Sequence, residues 1–380
     1  MDKLRIGVIG VCGRGNLANN WKENSRAEVV AGVDVKEENF ADFRSRFGDS
    51  VFTTLDYREM LDRKDIDAVM ITSPDFMHEE HAVAALQAGK HVYLEKPMAI
   101  TIEGCDHIIR TEKETGKKLM VGFNMRCMNI YRTMKDVVDS GTIGEIKTAW
   151  VRHFVWSGSH WYFHDWHATK KNCTSLMLQK GSHDIDIIHW ICGSYAKRVT
   201  AFGDMDFFGG DKPNDLNCRI CDEKDTCYAE TPHSERLIQC AKRKEVDIED
   251  NNFLLMQLES GVKAAYLECH FTPDDERNYV FIGTEGSVEL SERANKVWVK
   301  IRRTNDYREL SDRTYKIKEA KGSHGGADPV ITEGFLDYVI DGKAPIASPI
   351  DGRMSVAAGC CGAQSMRNGG MPVDIPKLKV

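Results

Sequence analysis

"KLRIGVIGVCGRG", residues 3–15, runs a short apolar strand straight into a glycine-rich turn. Gly10 and Gly15 hold the first and last places of a G-x-G-x-x-G turn, while Cys12 stands in the middle place with Gly13 beside it. Glycine in the middle place lets backbone approach a pyrophosphate, so a Cβ there requires the chain to shift slightly. Read alone, this turn decides little. The chain downstream of it gives it weight.

Working outward, apolar strands and amphipathic helices alternate as far as residue 122. "AEVVAGVDV", "DAVMITS", "HVYLEK" and "KLMVGF" read as strands. "EENFADFRSRF", "HEEHAVAALQAGK" and "IEGCDHIIRTEKETG" read as helices, with Gly89 suited to a C-cap. Such alternation means a parallel, doubly wound sheet. Asp34 lies at the end of "AEVVAGVDV", the chain's second strand, 19 residues past Gly15. An acid at that place accepts hydrogen bonds from ribose hydroxyls and repels a 2′-phosphate, which favours NAD over NADP. Gly10, Cys12, Gly13, Arg14, Gly15, Asn16 and Asp34 are therefore the expected cofactor residues of this turn. The plain alternative is a doubly wound domain without a nucleotide.

Composition narrows the remaining classes. The 380 residues suggest two or three domains, and 42% hydrophobic content is ample for their cores. Lys and Arg number 51 against 58 Asp and Glu, a net charge of −7, so neither a nucleic-acid footprint nor a polybasic membrane patch is expected. No apolar run is long enough for a membrane span, and the N-terminus lacks the regions of a signal peptide. Twelve cysteines in that setting point to a reducing cytoplasm.

From about residue 146 the texture changes to alternating strand candidates with short turns, among them "IKTAWVRHFV", "NFLLMQLESG", "VKAAYLECHF" and "RNYVFIGTEG". These predict one open antiparallel sheet. Between the first two strands lies "HWYFHDWHATKKNCTSLMLQKGSHDIDIIHWICGS". Trp161, Tyr162, His164, Trp166 and His167 make a suitable wall for a sugar, whose apolar ring faces stack on aromatics. Ile185, Ile188 and Trp190 are expected to pack while the first turn of "HDIDIIHWIC" works.

One stretch resembles a known pattern. "ITSPDFMHEEHAVAALQAGKHVYLEKPMAIT" is similar to the glucose–fructose oxidoreductase and myo-inositol dehydrogenase (Gfo/Idh/MocA) family, with its T-P-x-x-x-H segment, helix, A-G-K-H-V and E-K-P. Thr72, Ser73, Pro74, His78, Glu95, Lys96 and Pro97 match, and the likeness continues through "VGFNMR" (Asn124, Arg126), "SGTIGEI" (Gly141, Gly144) and G-x-H-x-x-D (Gly181, His183, Asp186). The resemblance implies that Lys96 and His183 are catalytic. It implies too that Thr72, Ser73, Pro74, His78, Glu95, Lys96 and Asn124 belong with the cofactor, and Arg126 with the substrate. The family usually carries Asp four residues before the histidine, where Gln179 stands here. Gln cannot hold the proton. Lys180 is read instead as a second alcohol-polarising or proton-relaying group, against the plain alternative of a solvent-facing lysine before a helix. The fold class expected is α/β. Residues 1–122 form an N-terminal Rossmann doubly wound parallel sheet. Residues 123–380 form an α+β domain with a large open, mainly antiparallel sheet that binds substrate and builds a homo-oligomer, a dimer or tetramer.

Within the second domain, about 209–250 reads as a Cys-rich insertion. Cys218, Cys221, Cys227 and Cys240 have the C-x2-C-x5-C-x12-C spacing of a candidate structural Zn site, unless they simply stay reduced. His324, before a late amphipathic helix, is a candidate for the substrate cleft or merely part of a helix-entry loop. The function expected is hydride transfer from a secondary alcohol of a sugar, glycoside or inositol to NAD. The alternatives are a glycosidase that oxidises, eliminates and re-reduces with NAD kept in place, and a non-catalytic NAD-binding protein.

Overall fold

The N-terminal strand is β1, Leu4–Ile9, and its sheet partners are β2 (Ala27–Val33), β3 (Phe52–Thr54), β4 (Ala68–Ile71), β5 (His91–Leu94) and β6 (Leu119–Val121). All pair in parallel in the order β3-β2-β1-β4-β5-β6. The order reverses between β1 and β4, which opens the crevice where doubly wound sheets bind ligands. The computed structural model describes residues 3–156, 161–229, 238–302, 310–318 and 320–378. Its two compact units are Met1–Asn129 with Glu319–Val356 and Leu378–Val380, and Ile130–Lys318 with Ala357–Lys377. The division expected at 122/123 differs from this, because residues 319–356 return to the first unit. There the helix Ala327–Asp341 sets Phe335 against Trp21 and Tyr93, with ring centroids 6.0 and 5.8 Å apart. Trp21 is 1% exposed. Truncating such a ring typically costs about 3–5 kcal/mol. Arg26, just before β2, holds the same helix through Glu333, Asp337 and Asp341 at 2.5–2.8 Å.

The turn after β1 runs into a short helix of tighter winding. Gly13–Trp21 is a 3₁₀ helix, opened by the bond from Gly15 N to the Cys12 carbonyl at 2.9 Å. Asn16, Asn19 and Asn20 are poor α-formers, since their amides compete for local backbone groups; Asn20 Nδ2 donates to the Leu17 carbonyl at 2.9 Å.

The second unit is built on nine strands: β7 (Ile146–Phe154), β8 (Ala196–Asp204), β9 (Asn251–Leu258), β10 (Lys263–Cys269), β11 (Glu276–Gly283), β12 (Gly286–Ser291), β13 (Lys296–Ile301), β14 (Arg313–Lys316) and β15 (Val373–Asp374). Their order is β14-β13-β12-β11-β7-β10-β9-β8-β15. Every pair is antiparallel except β7–β10, which fits the mainly antiparallel sheet expected. Alternation sorts the faces. Leu254, Met256, Leu258, Ala264 and Tyr266 are buried on one side, with the helix Gly181–Cys192 against it, while Phe253, Leu255 and Trp150 stand exposed on the other.

Candidate active site

In the first unit the glycine turn is built for close approach. Gly10 has φ +87, and a Cβ there would lie 2.9 Å from the Thr72 carbonyl; a Cβ on Gly15 would lie 2.1 Å from the Gly10 oxygen. Neither place admits a side chain. Cys12 is extended at φ −100, ψ 169, so the middle place imposes no left-handed backbone and a cysteine fits without strain. Thr72, after β4, locks the turn by donating Oγ1 to the Gly10 carbonyl at 2.7 Å. Asp34 follows β2 directly, and its Oδ1 accepts from Lys36 N (3.1 Å) and Asn39 Nδ2 (2.8 Å). Bare backbone at Gly10–Gly15 beside an oriented carboxylate fits a dinucleotide. Gly13 and Asn16 are exposed on the same turn.

Arg14 leaves this turn for the end of β5. Its Nε donates to Glu95 Oε1 at 2.6 Å, and Nη1 and Nη2 bind Asp328 at 2.9 and 3.0 Å. His324, Ser323 and Asn124 also meet Asp328, at 2.9, 2.7 and 3.3 Å. Burial alone would raise the Asp328 carboxyl; the bonds from His324 and Arg14 outweigh it and hold the group far below the usual range. Tyr93 OH donates to Glu95 (3.3 Å), whose other oxygen accepts from Lys96 N at 3.2 Å. Lys96, partly buried, thus sits on a backbone pinned by a buried carboxylate. The Lys96–Pro97 peptide is cis. His78 bridges the Pro97 and Ser73 carbonyls at 2.7 and 2.9 Å, tying the E-K-P turn to the one after β4, where Ser73 and Pro74 lie. Arg126 is buried on Asp351 (3.0 Å) and the Ile346 carbonyl (2.9 Å), a structural place rather than an open one.

In the second unit the helix Gly181–Cys192 brings Lys180, His183 and Asp184 to one end. Asp184 is wholly buried and gathers Tyr279 OH, Tyr266 OH (3.1 Å), His153 Nδ1 (3.0 Å) and Arg277 Nε (3.3 Å). Burial works against its charge, yet Arg277 and His153 prevail and hold it low. Burial, then Arg277, pushes His153 down to about 3, so a neutral imidazole donates Nδ1–H. Lys180 is pushed down to about 8, by burial first and by Arg277 second, with Asp184 and Glu268 opposing. Its ammonium lies 5.6 Å from the centre of the Tyr162 ring. Lys180 is half-buried, with its ammonium over the face of that ring.

The aromatic wall divides. Trp161 is 59% exposed, and Trp166 and His167 are partly so and stacked at 3.7 Å. His167 Nδ1 meets Asp165 at 2.6 Å. Tyr162 is buried, and His164 is 0% exposed with Nδ1 2.5 Å from the Gln239 carbonyl. His164 serves the insertion, not an open surface.

The structural zinc is not supported. Among the described residues no group of three or more His, Cys, Asp or Glu side chains is placed to hold a metal ion. Cys218, Cys221, Cys227 and Cys240 do line one small cavity, with Lys212 and Lys242. Burial, then Cys240, pushes the Cys218 thiol up to about 11, and it donates to the Gln239 carbonyl at 3.6 Å. Arg243, 1% exposed, fastens the insertion instead by donating to the carbonyls of Phe163, Cys240 and Asp165 at 2.6–3.0 Å. Residues 230–237 of that insertion lie outside the described residues.

Sequence reasoning missed a polar belt. Arg277, His153, Glu268 and Asn252 are lateral neighbours on β11, β7, β10 and β9, on the buried face of the sheet. A signal was there: in "AAYLECHF" Glu268 and His270 fall in phase with inward Ala264 and Tyr266.

Comparison with known proteins agrees with this architecture. Residues 4–123 match the oxidoreductase family's NAD-binding Rossmann fold, and residues 135–375 match that family's C-terminal alpha/beta domain. A Bacillus subtilis protein named as an oxidoreductase, YteT, is 24% identical over 351 residues, 81% of this chain and 82% of that one. Inositol 2-dehydrogenase of Salmonella typhimurium is 29% identical over 202 residues, 52% of this chain and only 57% of the relative. The structure of levoglucosan dehydrogenase in complex with NADH and levoglucosan superposes with a TM-score of 0.81 at 20% identity, covering 99% of this chain and 100% of that one, a likeness of fold alone. The chain belongs to the Gfo/Idh/MocA oxidoreductase family, with its NAD-binding Rossmann fold first and its C-terminal alpha/beta domain after it.

Proposed function

We propose that the chain is an NAD-dependent dehydrogenase that oxidises a secondary alcohol of a sugar, glycoside or inositol in the cytoplasm, as a homo-oligomer. The observation that carries this reading is the amine–imidazole pair, Lys180 and His183, at the head of one helix, with a lysine whose proton affinity is tuned toward neutrality. Groups that handle protons work best when poised near the operating pH. The inositol and levoglucosan dehydrogenases among its relatives and structural neighbours favour a carbohydrate or polyol as substrate.

NAD, when bound, supplies the acceptor for the carbinol hydride. His183 takes the hydroxyl proton as general base. Lys96 and Lys180 stabilise the negative charge that grows on the oxygen. At pH 7 Lys180 is mostly protonated, as this role requires. Trp161, with Trp166 and His167, offers the aromatic surface for a sugar ring. The carboxylate of Asp34 selects the unphosphorylated ribose.

The test is a panel of inositols, free sugars and glycosides, following NADH formation in the wild type and in Lys96→Ala, Lys180→Ala and His183→Ala. His183→Ala is expected to lower kcat by ~10²- to 10⁴-fold with NAD binding kept. Full turnover in His183→Ala would overturn the assignment. A second reading has one observation in its favour: the Asp165–His167 pair is a further base, which glycoside cleavage by oxidation and elimination needs and simple oxidation does not. Aglycone release without NADH accumulation would select it.

A further inference from the structure

Two carboxylates lie beneath the head of the helix Gly181–Cys192, and they are not equivalent. Asp184 is met by His153 and by the hydroxyls of Tyr266 and Tyr279, and it pairs with Arg277 at 3.3 Å. Glu268 on β10 is 0% exposed, and its Oε1 accepts from His270 Nε2 at 2.8 Å. Its Oε2 is buried with no hydrogen-bond partner among the described residues. That oxygen lies 3.4 Å from where a Cβ on Gly181 would stand, so it abuts the backbone between Lys180 and His183. A buried carboxylate oxygen without a partner is costly and calls for an explanation, a role in catalysis among them.

We propose that Glu268 is a positioning residue of the reaction: its carboxylate, anchored by His270 and set under Gly181, is the counter-charge that keeps the Lys180 ammonium protonated at working pH. This rests on the alkoxide-stabilising role proposed for Lys180. The charged and titratable groups around Lys180 come from several elements. Arg277 of β11 opposes its charge; Asp184 of its own helix, Glu268 of β10 and Glu292 after β12 favour it. His153 of β7 stays neutral. Arg277 and Asp184 pair with each other at 3.3 Å, and Glu292 is taken up by Tyr131 OH at 2.6 Å. Glu268 is the one of these carboxylates with a buried oxygen that lacks a hydrogen-bond partner among the described residues, so its removal uncovers the burial penalty and the Arg277 repulsion together.

Without the Glu268 charge the ammonium loses its proton at lower pH, and the charged form needed to stabilise an alkoxide disappears from the alkaline side first. The experiment is competitive acetylation of the full-length protein with acetic anhydride across pH, reading the Lys180 peptide by mass spectrometry, alongside kcat profiles. In Glu268→Gln, which keeps the acceptor for His270, the labelling midpoint should fall by roughly one pH unit or more, and the alkaline limb of kcat should move with it. An unchanged midpoint overturns the proposal. A shifted midpoint with an unmoved kcat profile supports the Glu268–Lys180 coupling and counts instead against Lys180 as a catalytic group. Should Glu268→Gln fail to fold, Glu268→Asp decides, since it withdraws the charge by one methylene: a lowered midpoint supports the coupling and an unchanged one ends it.

Discussion

A lysine that loses its proton near pH 8 carries its charge at a cost while the protein is folded. In the unfolded chain the same amine titrates at about 10.4. Between those values the unfolded state binds more protons than the native state, so stability rises with pH across that window. Below it, the native state bears the full penalty of a buried, Arg277-repelled ammonium. Lys180→Met keeps the length of the side chain and removes the charge. It should raise Tm at pH 7, flatten the rise of Tm between about pH 8 and 10, and lower kcat. Thermal unfolding at several pH values decides. A Met variant less stable than wild type would show that the ammonium stabilises this site. Stability sacrificed at one residue is what a working group leaves behind. Lys180 was marked in the sequence only because Gln179 broke the family's pattern, and nothing in the sequence tells how Arg277 and Glu268, about ninety residues on, bear on it.

Elements with a strong period were legible. The run "AEVVAGVDV" became β2 and "VKAAYLECHF" became β10, because alternation and apolar runs report burial directly. β3 (FTT) and β14 (RTYK) are no shorter than β6 and β5, but they lack the apolar run that marks LMV and HVYL and none of their residues is buried. The segment 319–356 shows its helix but not its address, since periodicity says which face is buried and not against what. The helix Gly181–Cys192 shows how tightly an address is then enforced. A Cβ on Gly181 would stand 2.9 Å from Tyr266 Cε1, and the Tyr266 ring is held by its hydroxyl on Asp184. Gly181→Ala must therefore lift the helix or break that bond. Overpacking of this kind costs about 1–3 kcal/mol. Denaturant unfolding should show a loss of that size with kcat falling alongside, as Lys180 and His183 move with the helix. Unchanged stability would mean that Tyr266 yields easily and that the belt is softer than its bonds suggest.

At the scale of the whole molecule, the sheet of the second unit raises a question that its buried face does not answer. Its outer face carries Trp150, Phe202, Phe253 and Leu255, 44–58% exposed. They are neighbours in register: Phe253 faces Phe202 across β9–β8, while Leu255 and Trp150 flank Ala265 of β10. Four large apolar side chains on adjoining strands make a continuous patch, where scattered single ones would need no explanation. A flat face of one sheet is self-complementary under a two-fold axis, which makes a second copy of the chain its natural cover. This face is therefore the expected interface of the proposed homo-oligomer. Phe253→Asp together with Leu255→Lys alters only outward side chains on β9, so the fold and the buried belt should persist by circular dichroism and thermal unfolding. Light scattering is expected to give a dimer or tetramer for the wild type and half that mass or less for the double variant. A wild type that stays monomeric at micromolar concentration, or a double variant of unchanged mass, would remove this face from the assembly and leave its aromatic residues needing another partner.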